Sequence, residues 1–188
     1  IRQPFGGFIL NDFSASPALD MLAPRYILHR FPIPDEKAVG LVFRQYMNNV
    51  YIYENTNALG RFTLVPTARV MNADDALKHV HSPDFTPQNL CIVETGSPVD
   101  PLLCSSSSSG RAARVRGTVD LVKDDVEEVV LDVSCDAPCW LLISENYDRF
   151  WHAECNAQPV PLLRANYILR AVPLGEPGTH RVVLKMTM

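Results

Sequence analysis

From Arg111 to the C-terminus the chain is written almost entirely as short apolar runs separated by turn residues, and this rhythm restricts the fold more than any other feature. The runs are Ala113 to Val122, Val126 to Ser134, Trp140 to Glu145, Phe150 to Cys155, Val160 to Leu163, Tyr167 to Pro173 and Arg181 to Thr187. Between them fall Asp124-Asp125, Asp136-Ala137-Pro138, Asn156-Ala157 and Gly175-Glu176-Pro177-Gly178. Such residues favour turns through local side-chain hydrogen bonds, a fixed φ or tolerance of positive φ. Strands this short and closely spaced predict two packed sheets, an antiparallel β-sandwich of the jelly-roll kind. Alternation agrees: Val129, Leu131 and Val133 interleave with Val130, Asp132 and Ser134, so one face of that strand is wholly apolar.

The preceding part mixes helix and strand signals. Ser16-Pro17 supplies a cap and first-turn pair for a short helix through Leu22, closed by Pro24, and Tyr26-Ile27-Leu28 follows as a strand. Leu41 to Gln45 and Val50 to Glu54 form a hairpin turning at Met47-Asn48-Asn49, because asparagine tolerates turn geometry. Arg61 to Met71 is extended but interrupted by Pro66, which predicts an edge or a bend. Asn72 caps a helix with Asp75 in its first turn and Ala76, Leu77 and Val80 on its apolar stripe, and Leu90 to Val93 is a short buried strand. Strand, helix and strand in this order make a small α/β or α+β unit. The stretch Gly96 to Gly110, with two prolines and five consecutive serines, reads as a linker or long surface loop. The predicted organisation is a mixed α/β subdomain over 1–95, a Pro/Ser-rich linker over 96–110 and the sandwich over 111–188. The fold class is α+β, mainly β.

Of the 188 residues, 21 are Asp or Glu and 17 are Lys or Arg, the latter scattered, so no footprint for nucleic acid is present. No apolar run reaches the roughly 18–20 residues that cross a bilayer as a helix. The start at Ile1, running into Pro4, Gly6 and Gly7, reads as a cut into a longer protein. Cys91, Cys104, Cys135, Cys139 and Cys155 form no C-x-x-C pair and no zinc-type spacing with histidine. Cys135 and Cys139 flank a turn, which allows either a local disulfide or two buried thiols.

The densest set of reactive side chains is His152, Glu154 and Cys155. In a strand it splits: Trp151, Ala153 and Cys155 take one face, His152 and Glu154 the other, so the reading is a core face and a solvated face and not a metal site. His79 and His81, two apart on a helix, do not face each other. His29 and His180 read as isolated. There is no phosphate loop, no G-x-S-x-G elbow and no H-E-x-x-H, so no catalytic residue, metal ligand or cofactor is assigned. The ligand candidates are Trp151, Arg164, Asn166 and Tyr167, whose planar donors and aromatic faces suit a polar ligand such as a sugar. In the alternative reading Asn166 makes a turn, Tyr167 packs and Arg164 ties down a loop carbonyl.

Several stretches taken together resemble the C-terminal extracytoplasmic region of the bacterial YfhO-like membrane proteins, which are similar in architecture to the GT-C glycosyltransferases. They are Ser144-Glu145-Asn146-Tyr147, Trp151 to Ala153, Val160 to Tyr167, Arg170 to Pro173 and, upstream, Tyr51 to Phe62. The likeness runs in order from about Leu19. Departures are Arg149-Phe150 in place of a Pro-Gly, Asn156-Ala157 in place of an Asp-Gly hairpin, and Thr56 and Gly60 in place of prolines. Alanine at positive φ in that hairpin costs on the order of 1 kcal/mol relative to glycine. The resemblance implies a non-catalytic domain on the extracytoplasmic, periplasmic face of the cytoplasmic membrane. Its partner would be the membrane-embedded remainder of the same polypeptide, which would carry any catalytic acid. The domain would assist the handling of glycan or lipid-linked sugar. A carbohydrate-binding module is the second expectation, a stand-alone hydrolase the third.

Overall fold

The structure is a computed structural model and describes residues 15–94 and 115–187. The Pro4, Gly6 and Gly7 start, the 96–110 segment with Cys104 and the serine run, and the residues from Arg111 to Arg114 lie outside the described residues.

The first helix, α1 (Pro17–Met21), begins where the sequence places its cap: Ser16 Oγ accepts from the Leu19 amide at 3.4 Å. The strands β1 (Tyr26–His29), β2 (Leu41–Met47) and β3 (Val50–Asn55) form a three-stranded antiparallel sheet in the order β1-β3-β2. Its β2–β3 turn uses Asn48 and Asn49 at φ 52° and 63°, the left-handed region that asparagine enters most readily among non-glycine residues.

Next come β4 (Phe62–Val65) and β5 (Thr67–Met71), separated by Pro66 alone, then α2 (Ala73–Val80) and β6 (Leu90–Glu94). Asn72 caps α2, its Oδ1 accepting from the Asp75 amide at 2.8 Å. Because α2 carries the chain back across the sheet, β5 and β6 pair in parallel, as a strand-helix-strand unit requires. The remaining strands are β7 (Gly117–Asp124), β8 (Glu128–Cys135), β9 (Cys139–Ile143), β10 (Trp151–Cys155), β11 (Gln158–Val160), β12 (Leu163–Ala165), β13 (Leu169–Leu174) and β14 (Gly178–Met186). One sheet runs β11-β10-β14-β8-β7, and the other β4-β9-β13-β12-β6-β5.

The six-stranded sheet takes β4, β5 and β6 from before the 96–110 segment and β9, β12 and β13 from after it. The two stretches of sequence therefore share one sheet and one interior. Chain continuity adds a second constraint. Flat, the two edges β4 and β5 would lie about 24 Å apart, five spacings of about 4.8 Å, yet two residues span at most about 7 Å. The sheet must curl until its edges meet across Pro66, so β4 and β5 are two halves of one bent strand. Proline suits that position because it has no N–H to leave unpaired.

Alternation then sorts the apolar residues into two cores. Trp140 and Leu142 of β9, Leu169 and Ala171 of β13, and Leu163 and Ala165 of β12 point into the curl, where Ala76 and Val80 of α2, Phe85 and Met21 close it. Cys139, Leu141 and Ile143, with Val172 and Leu174, face the other way and meet Val129, Leu131, Val133, Val182 and Leu184 of the five-stranded sheet. That second layer is the antiparallel sandwich expected from the sequence, and the molecule is mainly β. Each large side chain buried there contributes about 1.5–3 kcal/mol.

One strand expectation is corrected. Val160 to Leu163 is not a single strand: β11 and β12 lie in different sheets, and the chain changes sheets at Pro161-Leu162, where proline cannot continue a ladder. The Asn156-Ala157 hairpin forms as expected, with both residues at positive φ (52° and 62°) and Cys155 paired with Gln158.

Candidate functional site

Two loops meet at one end of the six-stranded sheet: Ser144 to Phe150 after β9, and Asn166 to Ile168 between β12 and β13. Asn166 and Tyr167 both take positive φ, 46° and 74°, which folds the second loop tightly. The Tyr147 amide donates to the Ile168 carbonyl at 2.7 Å and joins the loops. Between them lies an open groove of about 350 Å³ lined by Asn146, Tyr147, Arg164, Tyr167 and Ile168. The Arg164 guanidinium sits 5.2 Å from the centroid of the Tyr147 ring and 3.6 Å from Glu94 Oε2. Among the described residues the lining offers a cation, two phenols and an amide, and no carboxylate, thiol or imidazole.

The four ligand candidates separate. Arg164 and Tyr167 line the groove. Asn166 lies beneath it, fully buried: its amide donates to the Ile92 carbonyl at 2.7 Å, and its Oδ1 accepts from the Ile92 amide at 2.8 Å. It therefore works as a strand residue would, extending the pairing of β12 with β6 by one rung. Trp151 is elsewhere, 8% exposed, with the Arg170 guanidinium 4.5 Å over its ring. Tyr147 and Asn146 are groove residues that the sequence reading did not nominate, although they stand in the quoted Ser-Glu-Asn-Tyr stretch.

Beside the groove runs a chain of ion pairs. Arg61 donates to both oxygens of Asp124 at 2.6 and 2.9 Å and to Glu145 Oε1 at 2.6 Å. Glu145 Oε2 in turn lies 3.3 Å from Nη1 of Arg170, whose Nε donates to the Asn146 carbonyl at 2.7 Å. Arg61 holds the Asp124 carboxyl below its usual range, and the bond to Asp124 raises Arg61 in return. Burial pulls Arg170 down from its ordinary value, and Glu145 pushes back. Glu145 is thus committed to two arginines and is no free acid or base.

His152 is exposed, and Glu154 accepts from Lys185 at 3.2 Å, so this is a solvated strand face. His180, read as isolated, is instead buried beside Cys155, its Nδ1 3.7 Å from Cys155 Sγ. Cross-strand placement of β14 against β10, which no local pattern encodes, brings them together.

Fold and groove define a mainly β chain of three sheets, the two larger ones packed face to face, with an open cation–aromatic recess. Comparison with protein-family models, curated proteins and solved structures found no match to this chain.

Proposed function

We propose that this chain is a non-catalytic extracytoplasmic domain of a multispanning bacterial envelope protein, accessory to the transfer of envelope glycan or lipid-linked sugar. One observation carries the reading: the stretches that bear the YfhO-like resemblance, distant in sequence, converge in space. Arg61 belongs to the upstream stretch, Glu145 and Tyr147 to Ser144–Tyr147, Arg164 and Arg170 to the last two, and they touch through Arg61–Glu145–Arg170 and Arg164–Tyr147. A likeness carried by residues that depend on one another physically is what a common fold would leave. No helix among the described residues is long and apolar enough to cross a membrane, so on this reading the spans belong to the remainder of the polypeptide.

The expected result is that the native protein, detected with an antibody against this domain, stays in the membrane pellet after alkaline carbonate extraction. It is also expected to be cleaved by protease added to spheroplasts. Complete recovery in the soluble fraction would sink the proposal.

The groove favours a second reading, a carbohydrate-binding module, with Tyr147 replacing Trp151 in the contact set. An aromatic face and a fixed guanidinium suit the C–H face and hydroxyls of a sugar. Calorimetric titration with envelope glycans is expected to give binding that Tyr147→Ala and Arg164→Ala each weaken about tenfold, roughly 1.4 kcal/mol. Absence of heat with every glycan would remove this reading and leave the accessory-domain reading standing.

A further inference from the structure

We infer that Cys135 and Cys139 are a site of reversible oxidation, closing into a disulfide that staples the two sheets of the sandwich where the chain crosses between them. Cys135 ends β8 in the five-stranded sheet, and Cys139 begins β9 in the six-stranded sheet. Only Asp136-Ala137-Pro138 separates them. That turn is pinned to the start of β7, with the Arg116 amide donating to Asp136 Oδ1 at 2.9 Å and the Asp136 amide to the Arg116 carbonyl at 3.0 Å. Both side chains belong to the sandwich core, at 4% and 2% exposure. Cys135 and Cys139 thus flank one three-residue turn and face the same interior, where Cys135 Sγ donates to the Glu176 carbonyl at 3.6 Å. Rotation of the two side chains within that shared interior brings the sulfurs to bonding distance, the geometric step that oxidation requires.

The third thiol of this region has a different partner. His180 Nε2 lies 2.9 Å from the Glu176 carbonyl, and its Nδ1 faces Cys155 Sγ at 3.7 Å. Cys155 therefore has His180 as its hydrogen-bond partner and lies on a different strand, whereas Cys135 and Cys139 sit at the two ends of one turn. Burial, reinforced by Cys135, pushes the Cys139 thiol up to about 12, so it reacts slowly as a lone nucleophile.

The step uses a small-molecule or protein disulfide as oxidant. One cysteine, as thiolate, attacks the oxidant's sulfur and expels one thiolate; the second cysteine then attacks the mixed disulfide and expels the other. The two cysteine protons end on the two departing thiolates, so one disulfide is consumed and one formed. Neither the groove nor a membrane parent is required.

The test refolds the whole chain from urea in a buffer of reduced and oxidised glutathione, so that burial does not limit access, then alkylates and digests it with trypsin. Cleavage after Lys123, Arg149 and Arg164 leaves Cys135 and Cys139 together in residues 124–149 and Cys155 alone in residues 150–164. The expected peptide 124–149 is unalkylated and about 2 Da lighter than its reduced form, since closing a disulfide removes two hydrogens, while 150–164 carries one label. Cys155→Ser is expected to leave that result unchanged. Melting of the oxidised protein is expected several degrees higher, reversed by dithiothreitol. Double alkylation of 124–149, its cross-linking to 150–164, or an unchanged melting temperature would overturn the proposal.

Discussion

Replacing Glu145 by alanine is expected to destabilise the fold by about 3 kcal/mol, the range seen when one member of a buried ion pair is removed. The reason lies with its partner. Arg170 is 6% exposed, and its Nη1 makes no well-directed hydrogen bond among the described residues; Glu145 is the carboxylate beside it, added to the Asn146 carbonyl and the Trp151 face, that compensates the charge for the water it has lost. Arg61 loses the same carboxylate but keeps both bonds to Asp124 near the surface, so most of the cost falls on Arg170. A Glu145→Ala/Arg170→Met double variant should recover much of the loss, because an apolar replacement of a buried pair is often close to neutral. Urea unfolding at unchanged slope measures both effects. A loss below about 1 kcal/mol would place the pair among solvent-screened surface contacts and refute the argument.

Asn166→Ala is expected to cost about 2–4 kcal/mol, and the loss should divide into two parts. Alanine at φ 46° is strained by about 1 kcal/mol. Removing Oδ1 also leaves the buried Ile92 amide without its acceptor, worth about 1–3 kcal/mol. Asn166→Gly should restore only the first part. The local effect should be larger than the global one, because Ala165 and Val93 are the one paired position of β12 with β6. Hydrogen exchange at the Ile92 amide reads it directly: protection in Asn166→Ala equal to that of the parent would rule out the assigned role.

The sequence disclosed what local chemistry controls. Period-two apolar runs located most strands, and Asn48-Asn49 and Asn156-Ala157 marked their hairpins because few residues other than glycine enter positive φ readily. The proline at position 66 announced a break. What stayed hidden was partnership at a distance. Nothing near Phe62 states that it pairs with Ile143, and nothing near Arg61 states that its second carboxylate is Glu145. The site divides the same way. Arg164 and Tyr167 were legible because they stand at a turn, whereas Tyr147 is held at the groove by its amide hydrogen bond to the Ile168 carbonyl and by Arg164 over its ring, both contacts between distant segments. Trp151 lies apart from the groove because its strand turns it under the Arg170 guanidinium, a partnership that no local pattern encodes.

The bent strand that closes the six-stranded sheet also sets a timetable for synthesis. β4 leaves the ribosome before the 96–110 segment, but its partner β9 ends at Ile143, so Phe62 to Val65 waits through a long stretch of translation with one edge open. At about 5–20 residues per second this interval lasts several seconds, far longer than a hairpin takes to form. During it β5, α2 and β6 can assemble locally, while the apolar lining they present has no Trp140, Leu142 or Leu169 to cover it. The nascent first half is thus the stage at which this protein is most exposed to chaperones and to aggregation. Release from that risk begins when β9 emerges and is completed only when β13 follows it.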